Sequence, residues 1–241
     1  MRFSGILLDL DNTVYPYHSA HTAAMDRVLP YLCQELGRPI EEVGAAYQTA
    51  RTAIKNRLGG FAASHSRFLY FHTLCEGLGF PLSNIAVVGE DLYWQTFFDH
   101  MVIRPLCLEF LQAVRPTPIV VVTDLSARLQ LEKILRLNLQ GYISAMVSSE
   151  EAGYEKPHPQ IFELAAQKLA ADPSTLCMIG DSWDRDIEGA LRLNMHCYWF
   201  RDDLSSSETP VKESLSGDLH LERVRPFCHF SELIDEVASI V

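Results

Sequence analysis

Two carboxylates stand two residues apart in Ile6-Leu7-Leu8-Asp9-Leu10-Asp11-Asn12-Thr13, where an apolar run gives way to acids and then a hydroxyl. Such a run reads as a buried strand that delivers polar groups to its carboxyl end. Side chains alternate along a strand, so Asp9 and Asp11 share one face if extension continues. Acids held that close repel unless a cation sits beside them, and an all-oxygen ligand set suits Mg²⁺. The competing reading is a strand that runs out into a solvated turn, which Asp and Asn favour.

Three later stretches have the same character. The β-branched run 119–122 ends in Thr123-Asp124, just before a helical pattern whose amino end offers N–H groups to an anion. Thr123 or Asp124 could equally serve as the helix cap. Lys156 precedes Pro157, which favours an extended backbone at the lysine and lets its ammonium be fixed while the next helix departs. The run 176–179 ends in Gly180-Asp181-Ser182-Trp183-Asp184-Arg185-Asp186. Each stretch alone has an ordinary structural explanation. Together they offer carboxylates for a hard cation, with a hydroxyl and an ammonium for phosphate oxygens, a set suited to Mg²⁺-assisted phosphoryl transfer.

These groups need a scaffold in which strand ends converge. From Arg104-Pro105 onward, strand patterns at 119–122, 145–148, 176–180 and 196–200 alternate with helical ones at 106–114, 126–137, 159–169 and 187–193. That alternation predicts an α/β fold with a doubly wound, mostly parallel sheet, whose ligand crevice lies outside the carboxyl ends of its strands. Between the first strand and this series, apolar positions recur at helical spacing over about 19–36, 41–57, 66–78 and 83–98. The expected organisation is therefore a core of residues 1–14 and 101–241, interrupted by an all-helical insertion over 15–100. A mobile loop is expected over 201–217, then a short apolar patch near 224–227 and a last helix over 230–237, capped near His229.

Composition narrows the function classes. With 31 Asp and Glu against 20 Lys and Arg, the formal charge of −11 over 241 residues disfavours nucleic acid and anionic lipid as partners. The six cysteines are widely spaced, with no C-x-x-C pair, and no apolar stretch reaches the roughly twenty residues that span a bilayer. Without a leader-like start, the expectation is a soluble protein of a reducing compartment, most simply cytoplasmic, as a monomer or homodimer.

The four stretches, in this order, resemble the signature of the haloacid dehalogenase superfamily in its phosphatase branch, and the lead-in through Val14-Tyr15-Pro16 is similar to pyrimidine 5′-nucleotidase-like members. The resemblance covers residues 1–14 and about 101–200, and the insertion matches the family's helical cap in position and type. It implies Asp9 as the nucleophile and Asp11 as general acid and base. It also implies Mg²⁺ held by Asp9, the Asp11 backbone carbonyl and Asp181, with Thr123, Asp124 and Lys156 on the phosphate. Asp186 or Asp184 would support Asp181, because Arg185 stands where the family often carries Asn or Asp. The cap would close over the site. The implied substrate is a small-molecule phosphate ester, and Arg51, Lys55, Arg57, His65 and Arg67 are the insertion's candidates to reach it. Open alternatives are a sugar phosphomutase, a 2-haloacid dehalogenase, and a non-enzymatic binding protein on this fold.

Overall fold

The computed structural model describes residues 3–202 and 220–237. Most of the 201–217 stretch, expected to be a loop, lies outside them. The chain divides into two compact units, one of Met1–Tyr15 with Ile103–Val241 and one of Pro16–Val102. Among the described residues no helix is long and apolar enough to cross a membrane.

The first unit is built on six parallel strands: β1 (Gly5–Leu8), β2 (Ile119–Thr123), β3 (Ala145–Ser148), β4 (Leu176–Gly180), β5 (His196–Phe200) and β6 (Val224–Phe227), in the order β3-β2-β1-β4-β5-β6. The three central strands read Gly-Ile-Leu-Leu, Ile-Val-Val-Val-Thr and Leu-Cys-Met-Ile-Gly, and every residue in them is buried. Such unbroken apolar runs belong to strands covered on both faces. Leu8 of β1 lies beside Val121 of β2 and Ile179 of β4. The amide of Asp9 adds one more bond, to the Ile179 carbonyl at 2.9 Å. This register brings Asp9, Thr123 and Asp181 out at one edge of the sheet.

Helices of this unit are α5 (Cys107–Ala113), α6 (Ala127–Arg136), a four-residue α7 (Ser149–Ala152), α8 (Pro159–Leu169), α9 (Glu188–Leu191) and α10 (Phe230–Val237). Three features differ from the sequence expectations. The helix expected over 187–193 is a π-helical turn, Trp183–Ile187, running into the short α9. The 224–227 patch is a paired strand despite Pro226, as an outermost position allows. The four-residue α7 after β3 has no counterpart among the expected elements, while at the start of α10 the Glu232 carboxylate accepts the N–H groups of Cys228 and His229 at 3.0 and 2.9 Å, beside the expected cap.

The second unit holds helices α1 (Tyr17–Leu36), α2 (Ile40–Leu58), α3 (Arg67–Gly77) and α4 (Ile85–Asp99). Helix α1 buries Ala20, Ala24, Val28, Leu32 and Leu36, a stripe of residues four apart that packs chiefly on α4. It ends at Gly37, whose φ of 62° suits the left-handed turn that closes a helix.

Candidate active site

Extension does not continue past Leu8. The chain turns, Asn12 takes a φ of 68°, and Asp9 and Asp11 part company. Asp9 is 4% exposed, and its Oδ1 accepts from Lys156 Nζ at 2.5 Å while Oδ2 accepts from the Thr13 hydroxyl at 3.0 Å. Lys156 is almost as enclosed. Its ammonium also donates to Asp186 Oδ1 at 2.7 Å and to the Val122 carbonyl at 3.0 Å, so it bridges two acids and a strand end.

Asp9, Asp181 and Asp186 each place a carboxylate oxygen within 4.8 Å of the others. Asp186 is the acid that joins the set. The π-helical turn directs it inward, where its Oδ2 accepts from the Ser182 N–H at 3.0 Å, whereas Asp184 is exposed. Gly180 makes room for it, since a Cβ there would lie 2.5 Å from the Asp186 carboxyl carbon. Trp199 holds Asp181 from behind, its indole N–H donating to the Asp181 carbonyl at 2.9 Å.

Burial, with the charge of Asp186 added, pushes Asp9 up to about 7 in spite of Lys156. Burial and the charge of Asp9 do the same to Asp181, also to about 7. Ionising all three carboxylates against one ammonium would leave two negative charges in a largely buried place, which is why their values rise. A divalent cation bound by hard oxygens balances that excess, so the donor set fits Mg²⁺.

The side chain of Asp11 lies outside this cluster. Lys133 Nζ donates to its Oδ1 at 2.7 Å and Oδ2 at 2.9 Å, Gln130 Nε2 donates to Oδ2 at 3.1 Å, and the Tyr15 hydroxyl donates to Oδ1. Although burial opposes it, Lys133 and these donors hold the Asp11 carboxyl below its usual range. Lys133 and Gln130 are both fully buried and were not singled out in the sequence. The signal was faint: a Gln and a Lys three apart on the face of α6 that also buries Ile134.

Thr123, at the end of β2, is fully buried with its hydroxyl accepting from Gln130 Nε2 at 2.8 Å. Asp124 turns its carboxylate to the Lys156 N–H at 3.0 Å and Arg185 Nη1 at 3.1 Å. The amides expected to be free beyond β2 are partly spent. Ser149 Oγ takes the Leu125 N–H at 2.9 Å and Glu150 takes that of Ala127 at 2.8 Å, both from the unforeseen α7. Of the insertion's cations, Arg51 and Arg57 are exposed, Lys55 and His65 are half-buried and Arg67 is buried.

The arrangement is that of a buried carboxylate beside two further acids and a fixed lysine, and the pattern has relatives. A model of haloacid dehalogenase-like hydrolases matches residues 3–194. The chain belongs to this hydrolase family. A ribulose-1,5-bisphosphate 5-phosphatase of Halopiger xanaduensis is 34% identical over 215 residues, 86% of this chain and 88% of that one. A glyceraldehyde 3-phosphate phosphatase of Methanopyrus kandleri is 27% identical over 239 residues, 98% of this chain and 97% of that one. Among solved structures, the haloacid dehalogenase-like hydrolase YfnB of Bacillus subtilis, bound to magnesium, superposes with a TM-score of 0.70 at 17% identity, covering 98% of this chain and 99% of that one. At that identity the likeness concerns the fold. In this hydrolase the six-stranded core and the acids at its strand ends belong to one unit, and the helical insertion forms the other.

Proposed function

We propose that this hydrolase is a Mg²⁺-dependent phosphatase that acts on a small-molecule phosphate monoester through an aspartyl-phosphate intermediate. The carrying observation is the cluster of Asp9, Asp181 and Asp186 with Lys156 bridging two of its members. An Asp9 oxygen attacks phosphorus, forming the acyl phosphate bond as the bond from phosphorus to the leaving oxygen breaks. Once its side chain has turned from Lys133 and taken up a proton from solvent, Asp11 gives that proton to the leaving oxygen, then takes one from the water that attacks the phosphoenzyme and frees Asp9. Lys156 offsets the repulsion between Asp9 and an incoming dianion, and Thr123 holds a phosphoryl oxygen.

Mg²⁺ would be held by Asp9, Asp181 and the Asp11 carbonyl, and supplies charge neutralisation when bound. Asp186 keeps Lys156 and the loop after β4 in place. Asp124 acts on the phosphate site by fixing the backbone of Lys156, since its carboxylate is already engaged. For Asp11 to reach a leaving group its side chain must turn away from Lys133, so Lys133 governs when the acid is available.

The names of the two relatives that match most of the chain favour a phosphorylated sugar or triose as substrate. A hydrolysis screen of such esters tests the reading. Inorganic phosphate should be released with Mg²⁺ and not with EDTA. Halide release from a 2-haloacid, transfer of the phosphoryl group within the sugar without release, or ligand binding without turnover would each transfer the assignment to a rival.

A further inference from the structure

The helical unit seals one guanidinium inside itself. Arg67, the first residue of α3, is 7% exposed, and its described partners include no carboxylate. Nη1 donates to the His65 carbonyl at 2.6 Å, Nη2 donates to the Tyr17 hydroxyl, and Nε is buried with no partner. Its Cζ lies 5.2 Å from the ring centre of Tyr93, 5.5 Å from that of Tyr70 and 5.7 Å from that of Trp94.

Aromatic faces offset only part of the cost of burying an ion without a paired counter-charge. The position is also adverse, because the amino end of a helix repels positive charge. Glu90, on the neighbouring α4, lies near enough to feel the charge of Arg67 but forms no ion pair with it among the described contacts: its Oε1 accepts from the Phe68 N–H at 3.2 Å and the Trp94 indole at 3.4 Å. An apolar side chain would fill this position at lower cost.

Next to the guanidinium runs a chain of polar groups. The Tyr17 and Tyr93 hydroxyls are 3.3 Å apart, and the Tyr93 hydroxyl is 2.7 Å from His21 Nδ1. We infer that Arg67, with the hydroxyls of Tyr17 and Tyr93, forms an oxyanion site in the helical unit, which takes a phosphate or carboxylate group. A planar guanidinium with an unused N–H suits two oxygens of one such group, and hydroxyls can donate to a third. Nε is enclosed as well as unpartnered, so the anion reaches it as the surrounding rings part, and binding then tightens the unit. The oxyanion is a separate small anion, held within the helical unit alone.

Hydrogen exchange on the full chain with Mg²⁺, in the presence and absence of millimolar inorganic phosphate, tests the site. Wild type should gain protection over 17–24, 64–71 and 90–97, and Arg67→Gln should lose that gain. Protection confined to 9–13 and 123–126 overturns the inference and leaves the phosphatase reading intact. Arg67-dependent protection without any phosphatase activity does the reverse. Should Arg67→Gln fail to fold, Tyr17→Phe keeps the ring and removes one donor, and unchanged phosphate protection in that variant also overturns the site.

Discussion

Asp9 and Asp11 have the same side chain and stand two residues apart, yet their surroundings push them in opposite directions. Burial and neighbouring acids raise Asp9, while Lys133, Tyr15 and Gln130 outweigh burial at Asp11 and lower it. The proposed roles run against that divergence in the metal-free protein, because Asp9 needs a cation beside it to ionise fully and Asp11 must leave Lys133 to take up a proton. Asp9→Asn keeps nearly the same shape but offers no anionic nucleophile, so turnover should fall by about 10³-fold or more with the fold retained, as phosphate-release kinetics and circular dichroism would show. Lys133→Met leaves Asp11 without the charge that fixes its side chain, so it is no longer presented to the leaving group from one defined position. The substitution should slow hydrolysis of an alkyl ester by about 10- to 100-fold, within the usual reach of acid and base catalysis, and that of an aryl ester less, since an aryl oxide leaves without a proton. Equal losses for both esters would assign Lys133 a purely structural part.

At the scale of elements, the end of β4 is where packing and chemistry depend on the same atoms. Gly180 closes the strand, and the π-helical turn after it folds Asp186 back over the glycine. Gly180→Ala inserts a methyl group 2.5 Å from the Asp186 carboxyl carbon, so the strand end, the turn or both must shift. Overpacking of this kind costs about 1 to 3 kcal/mol. Urea denaturation should show that loss, and titration should show weaker Mg²⁺ binding, because Asp186 would lose its hold on Lys156. Stability lost with Mg²⁺ affinity unchanged would mean that the turn is not coupled to the cation site.

For the whole molecule, the buried acids tie stability to pH. Asp9 and Asp181 have folded values of about 7 against an ordinary 3.8, so the native state binds protons that the unfolded chain has released. Stability of the metal-free protein should therefore fall as pH rises from about 4 to about 7, then level off. Asp11 has the opposite sign below this window, and His21, lowered by burial to about 4, opposes the fall within it, as one group against two acids. Since Mg²⁺ competes with those protons, its stabilising shift in melting temperature should be small at pH 5 and grow through pH 7. Thermal scans at fixed Mg²⁺ would check this, and a shift as large at pH 5 as at pH 8 would contradict the cation site.

The identities of the polar residues at the strand ends could be read from the chain, because apolar runs of strand length end where the chain leaves the core, and each such end is local in sequence. The same holds for the helical insertion, whose apolar spacing repeats within each helix, and for strands such as 176–180 and 196–200. Direction was not legible. Whether Asp11 faced Asp9 depended on a turn at Asn12 and on Lys133, 122 residues away, whose sequence setting is that of any lysine on an amphipathic helix. The choice between Asp184 and Asp186 rested on a π-helical turn that helical periodicity does not reveal, and the Val-Arg-Pro-Phe of β6 carried a proline and a charge that mask an outermost strand. Sequence by itself determined which chemical groups this protein has and the elements that carry them. Only tertiary structure decided which groups meet, because a side chain's partners are set by packing between segments far apart in the chain.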